Sequence, residues 1–142
     1  MKPVYLNCQQ VFVDFSAATH LKTIGLQAFF QVRGLSGVID LSKTQMKVIE
    51  GNAFKQTGIT GVILPTTLER VDNDDPETIG SHAPVFKDCS NLEYIRVAGG
   101  GGSSTAVFEL PTNLAVIGNS GFYLEKTKIE QTMKNNDCTL LH

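Results

Sequence analysis

Leu21-Lys22-Thr23-Ile24-Gly25-Leu26-Gln27-Ala28-Phe29 recurs 25 residues later as Met46-Lys47-Val48-Ile49-Glu50-Gly51-Asn52-Ala53-Phe54. In both copies an apolar pair, Leu21 and Ile24 in the first, precedes an Ala-Phe dipeptide. Such a period is typical of repeat proteins, in which each unit is too small to bury its own apolar residues and is stabilised by stacking on its neighbours. The repetition therefore predicts a stack of similar coils with phenylalanine rings wedged between them.

A second signature consists of short segments in which apolar residues flank a middle position that is usually charged. This alternation is typical of strands with one face in a core and the other in solvent. In four of the segments a Pro or Ser follows, as expected for residues that end strands and favour turns. The segments are Val13-Asp14-Phe15-Ser16, Ile39-Asp40-Leu41-Ser42, Val62-Ile63-Leu64-Pro65, Ile95-Arg96-Val97-Ala98 and Phe108-Glu109-Leu110-Pro111. Stacked coils would make these strands parallel and in register.

Further copies of each element extend the repeat along the chain. The apolar pair, expected to close the turn of each coil, recurs as Leu68/Val71 and Leu114/Ile117. The wedging ring recurs as Phe86 and as Phe122 in Gly121-Phe122. The residues expected to lead into the next strand are Leu35, Ile59, Leu92 and Ile129.

Two segments depart from the repeat, and we interpret them as inserted loops at about residues 71–78 and 98–106. The second loop contains four consecutive glycines followed by two serines, the composition of a flexible, solvated segment. Near the C-terminus, Ile129 and Met133 lie four residues apart, which predicts a short helical cap that Asn135-Asn136-Asp137 would end. The chain is predicted to be a single domain over residues 1–142, with repeats over about 11–129 and residues 130–142 as a C-terminal tail or cap.

These residues resemble the BspA-like leucine-rich repeats of bacteria and parasitic protozoa, whose units read roughly Leu-x-x-Ile-Gly-x-x-Ala-Phe, then Cys, then Leu-x-x-Ile-x-Ile-Pro. Residues 21–29 and 59–65 fit this pattern, and residues 86–95 reproduce its Phe-x-x-Cys-x-x-Leu-x-x-Ile portion. The resemblance implies a right-handed leucine-rich-repeat solenoid of about five coils, with mainly short parallel β-strands, turns and short helical segments. It also implies protein binding, adhesion or coaggregation at cell surfaces, with no cofactor and no catalysis.

The middle strand positions are the candidate binding surface, because parallel strands in register would align them as one exposed row. The row would recognise a protein partner, with a merely solvated row as the alternative. Its residues are Asp14, Asp40, Ile63, Arg96 and Glu109. A second hypothesis is a structural subunit that docks through uncapped solenoid ends into a larger assembly or oligomer. It arises because neither Val4-Tyr5-Leu6 nor Thr139-Leu140-Leu141 is an obvious cap.

Two features of the sequence suggest chemical sites. The first inserted loop could supply oxygen ligands for calcium. Its residues do not have the spacing of an EF-hand, since the mid-loop Gly and the terminal Glu are missing, so a solvated loop is favoured. The residues concerned are Asp72, Asp74, Asp75 and Glu77. Cys89 and His82 suggest a thiol nucleophile with a base, but the resemblance puts Cys89 at a buried, inert position. We therefore predict no enzyme, no metal and no cofactor.

Composition limits the partners. A net charge of −2 and a pI near 5.9 give no broad positive field, which argues against nucleic acid or an anionic membrane. No apolar run approaches the roughly 18 residues of a membrane span, and the start lacks a signal-peptide apolar region. As written, the chain is expected to be soluble and intracellular, or at the cell surface or secreted if it is part of a longer protein. Three widely spaced cysteines favour reduced thiols over disulfides or a zinc site.

Overall fold

The computed structural model describes residues 10–71, 84–99, 107–117 and 124–135. Over this part of the chain the backbone forms seven short strands and one helix. In chain order they are β1 (Thr23–Ile24), β2 (Ser36–Asp40), β3 (Val48–Ile49), β4 (Gly58–Leu64), β5 (Arg70–Val71), β6 (Tyr94–Val97), β7 (Val116–Ile117) and α1 (Lys128–Asn135).

The strands form two parallel sheets, and the chain passes alternately through them. One sheet has the order β1-β3-β5-β7 and the other β2-β4-β6. Ile24 pairs with Ile49 and Ile49 with Val71, so equivalent positions of successive repeats lie side by side. Among the strands predicted from the sequence, Ile39 pairs with Val62 and Val62 with Ile95, which confirms parallel pairing in register for three of the five.

The four-stranded sheet is built from the second residue of each apolar pair and its neighbour. The sequence had predicted that these pairs close a turn of the coil, whereas each pair contributes a two-residue strand. Met46, Ile49 and Leu68 are fully buried between the sheets. The pairs therefore close the core and also provide a second hydrogen-bonded ladder between coils.

Two of the five strand predictions, one at each end of the repeat, are wrong. Residues 13–16 form no strand, and the backbone N–H of Ser16 donates to the carboxylate of Asp14 at 2.8 Å. The first coil instead reaches the β2 edge through one bridge, Val11 to Leu35. At the other end only Phe108 forms a bridge, and its partner is Ile95. This bridge is parallel and in the predicted register, so the predicted strand is reduced to a single paired position.

A column of phenylalanine rings runs through the core. The rings of Phe29 and Phe54 stack with centroids 5.3 Å apart, and those of Phe54 and Phe86 with centroids 6.0 Å apart. Phe15 meets Phe29 edge to face at 6.5 Å. Such aromatic pairs contribute about 0.5–1.5 kcal/mol each beyond the area they bury. The predicted wedge of rings between coils is confirmed for Phe29, Phe54 and Phe86.

In the last repeat the column continues with an aliphatic side chain. Phe122, the predicted ring, lies outside the described residues, and Leu124 occupies the equivalent slot with 1% of its surface exposed. The equivalence rests on hydrogen bonding: the hydroxyl of Thr127 donates to the Leu124 carbonyl at 2.8 Å, as that of Thr57 donates to the Phe54 carbonyl at 2.9 Å.

The turns that carry the rings contain left-handed residues instead of the short helical segments expected. Gln27 and Gln31 flank Phe29 with φ of 58° and 63°, and Asn52 and Gln56 repeat the arrangement around Phe54 with φ of 56° and 62°. Left-handed backbone is unfavourable for residues other than glycine. Here hydrogen bonds between coils stabilise it, since the backbone N–H of Phe29 donates to the Ala53 carbonyl at 2.8 Å.

Helix α1 lies where Ile129 had been expected to lead into another strand. That expectation is wrong, while the alternative prediction of a short helix near Ile129 and Met133 is confirmed. The Thr127 hydroxyl caps the helix by accepting the Glu130 N–H at 3.1 Å, and Ile129 is fully buried. Met133 packs against the same core. Among the described residues no helix is long and apolar enough to cross a membrane.

The stacked rings predict how much stability is lost when one of them is removed, in comparison with a control substitution. Phe54→Ala should lower the free energy of unfolding by about 3–5 kcal/mol, because it removes a fully buried ring that stacks on both sides. Phe30→Ala should cost under about 1 kcal/mol, since that partly exposed ring contacts Lys55 through its face at 5.7 Å. Urea denaturation followed by circular dichroism measures both. Equal losses would contradict the column as the main contact between coils.

Candidate functional site

The outer face of the β2-β4-β6 sheet, called the strand face below, carries the aligned residues that the sequence singled out. Asp40 pairs with Ile63 across the first ladder, and Ile63 pairs with Arg96 across the second. Strand residues alternate between the two faces of a sheet, and the residues one position earlier on each of these strands are completely buried. That buried row consists of Ile39, Val62 and Ile95. Asp40, Ile63 and Arg96 therefore lie side by side on the opposite face.

The two other residues of the predicted row sit at its margins. Glu109 follows Phe108, whose bridge to Ile95 places this segment beside Arg96, and it is partly exposed. Asp14 is exposed but belongs to no strand of the described chain. The structure thus brings Asp40, Ile63 and Arg96 together on paired strands, sets Glu109 next to them and leaves Asp14 outside the ladder.

A second row on the same face had not been singled out from the sequence. It consists of Val38, Gly61 and Tyr94, which pair in register across β2, β4 and β6. A Cβ atom on Gly61 would overlap Cζ, Cε1 and Cε2 of Tyr94, so the tyrosine ring lies directly over the glycine backbone. The guanidinium carbon of Arg96 lies 3.9 Å from the centre of that ring. A glycine inside a strand was the available signal, because it often marks close approach of another group.

An exposed aromatic side chain borders the face at the first coil. Phe12 has 67% of its surface exposed, and its ring covers Gly37, where a Cβ atom would lie 2.8 Å from Phe12 Cδ1. Gly37 also has a φ of 78°, which disfavours any other residue there. Val38 beside it is 39% exposed. The face therefore combines apolar surface with charged groups, the usual composition of a recognition surface.

The acidic groups of the row are oriented by backbone N–H groups. Asp40 Oδ1 accepts the Ser42 N–H at 2.9 Å, and Glu109 Oε1 accepts the Val97 N–H at 3.3 Å. At Asp14, hydrogen bonds from the backbone and side chain of Ser16 lower the pKa of the carboxyl group. These local bonds reduce the conformational freedom that a partner would have to restrict.

The candidate nucleophile Cys89 lies in the core, away from the strand face. Its thiol donates to the Phe54 carbonyl at 2.9 Å, and its Sγ atom lies 3.4 Å from the Thr57 hydroxyl oxygen. Burial is the main cause that raises the pKa of the Cys89 thiol, so the nucleophilic thiolate is disfavoured. His82 lies outside the described residues. The thiol acts here as a hydrogen-bond donor between coils.

The candidate calcium ligands Asp72, Asp74, Asp75 and Glu77 also lie outside the described residues. Within the described ranges, no three His, Cys, Asp or Glu side chains come together in a group that could hold a metal ion.

Comparison with known proteins gives one match. A family model described as the BspA type leucine-rich repeat region matches residues 3–99 in six copies. The matched range includes β1 to β6, and therefore all three strands of the strand face. No curated protein and no solved structure matches the chain.

The environment of Cys89 predicts its reactivity. Iodoacetamide should modify Cys89 slowly in the native protein and rapidly in denaturant, because the thiol is completely buried and its pKa is raised. Peptide mass spectrometry after timed labelling reads this cysteine separately from Cys8 and Cys138. Native labelling of Cys89 as fast as labelling in denaturant would show that the thiol is accessible and reactive, contrary to its place in the core.

Proposed function

Because the chain belongs to the family of BspA type leucine-rich repeats, we propose that it is a binding and adhesion module that recognises a protein partner through the strand face. Repeats of this kind usually mediate protein binding. The architecture that we propose is a right-handed solenoid of about five coils in a single domain over residues 1–142, four coils of which carry β1, β3, β5 and β7.

One observation carries this proposal: the register of β2, β4 and β6 places Asp40, Ile63 and Arg96 on adjacent strands of one outward face. An acidic, an apolar and a basic group follow each other across this row. The Ser42 N–H orients Asp40, and the Tyr94 ring supports Arg96. Groups that are oriented before binding lose less conformational entropy when a partner arrives, which favours affinity.

The proposed activity is binding without catalysis. The thiol of Cys89 is buried and donates to the Phe54 carbonyl, so it is not placed to attack a substrate. The charged groups of the strand face serve recognition in this proposal, because opposite charges steer a partner and fix its register. No cofactor is assigned to the face.

A second candidate function is docking of the solenoid by its ends into a larger assembly. It is supported at the first coil, where Val11 is 49% and Leu26 46% exposed. At the other end, α1 packs Ile129 and Met133 against the core, which makes the first coil the better docking site of the two. If substitution of Val11 and Leu26 abolishes assembly while substitutions on the strand face spare it, the structural role is correct.

Charge reversal tests the recognition proposal. The double variant Asp40→Lys with Arg96→Glu should lose capture of the native partner in affinity purification with cross-linking. Each reversed charge would then repel the group of the partner that attracted the original charge. The matched control is Lys47→Glu with Glu69→Lys, which reverses an exposed ion pair of 3.1 Å outside the strand face and keeps the same net charge. Capture by a folded D40K/R96E protein at the level of the control would refute the proposal.

A further inference from the structure

The strand face is complementary in charge to itself, and we propose that the partner it recognises is a second copy of this chain. This inference rests on the function proposed above, because it names the partner of the same face. Its basis is the order of three residues in register, with Asp40 on β2, Ile63 on the central strand β4 and Arg96 on β6. Reversing that order exchanges the acidic and basic positions around the apolar one.

A two-fold axis parallel to β4 and lying between two such faces performs this exchange. It sets β2 of one copy against β6 of the other and leaves the position along the strands unchanged. Asp40 of the first copy then faces Arg96 of the second, and Arg96 of the first faces Asp40 of the second. The two Ile63 side chains meet at the axis. A two-fold interface of this kind uses the same patch on both subunits, so each dimer contains two opposite-charge contacts.

The second row fits the same arrangement. By strand position, Val38, which is 39% exposed, would lie opposite the backbone of Tyr94 in the other copy, and the two Gly61 residues would lie opposite each other with the Tyr94 rings between them. The Tyr94 ring covers Gly61, and the guanidinium carbon of Arg96 lies 3.9 Å from the centre of that ring. Facing sheets pack about 10 Å apart with their strands within about 30° of alignment, and a two-fold axis along β4 keeps the strands aligned.

The margins of the face limit the strength of this association. Phe12 of the first coil would face the segment around Phe108 of the other copy, which covers exposed apolar surface. Asp14 and Glu109 would approach at the same margins, and their like charges oppose contact. The face consists of three short strands and two flanking segments, whereas a standard interface buries roughly 1,600 Å² in total. The dimer is therefore weak and depends on protein concentration.

Analytical ultracentrifugation from micromolar to millimolar concentration tests the proposal on the full chain. The unmodified protein should shift from monomer towards dimer as its concentration rises. Asp40→Lys alone and Arg96→Glu alone should each weaken the dimer at least tenfold, because each places like charges in both contacts. Mixing these two single variants should restore association, because each contact between the two variants then joins a positive and a negative side chain. The double variant D40K/R96E should dimerise with itself for the same reason.

The control Lys47→Glu with Glu69→Lys should associate like the unmodified protein, and circular dichroism shows whether each variant is folded. An unmodified chain that stays monomeric at all concentrations would overturn the second-copy proposal, as would association that neither single variant weakens. Ultracentrifugation and partner capture together distinguish failure of the second-copy proposal from failure of the recognition function. A monomeric chain whose D40K/R96E variant still loses partner capture keeps the recognition function with another protein as its partner. A monomeric chain whose variant captures normally contradicts both.

Discussion

The rings of Phe29, Phe54 and Phe86 lie almost parallel, with interplanar angles of 6° and 2°. Their centroid spacings of 5.3 and 6.0 Å are close to the roughly 4.8 Å that separates hydrogen-bonded strands. Stacked rings can thus occupy consecutive coils while the ladders on both sides stay paired. Each repeat alone is too small to bury its apolar residues, and this column packs the rings of successive repeats against one another.

The column determines what reaches the surface. With the coils held in register, Ile39, Val62 and Ile95 turn inwards together, and the next residue of each strand turns outwards. A slip of one residue in any coil would exchange the two faces, and the burial of the inward row opposes that slip. The alignment of the outward residues is thus a consequence of core packing, although recognition would use only their exposed groups.

Much of this arrangement could be predicted from the sequence, because the repeat period and the alternation within strands are local patterns. They correctly give Asp40, Ile63 and Arg96 a shared face. What they miss depends on competing local bonds and on contacts between coils. Asp14 has the same alternating pattern as Asp40, yet no strand forms around it. The Thr127 cap directs Ile129 into a helix, and the Tyr94 ring reaches Gly61 on a neighbouring strand, a contact that no single repeat reveals.

The central claim is that stacked coils place Asp40, Ile63 and Arg96 side by side on one face. Nuclear Overhauser effects between backbone protons of neighbouring strands test it most directly in solution. The account predicts contacts from Ile63 to Asp40 on one side and to Arg96 on the other, because both pairs are in register in the parallel ladders. Spectra in which Ile63 shows only sequential contacts, or pairs with residues one position away, would contradict the shared face and the recognition function proposed for it.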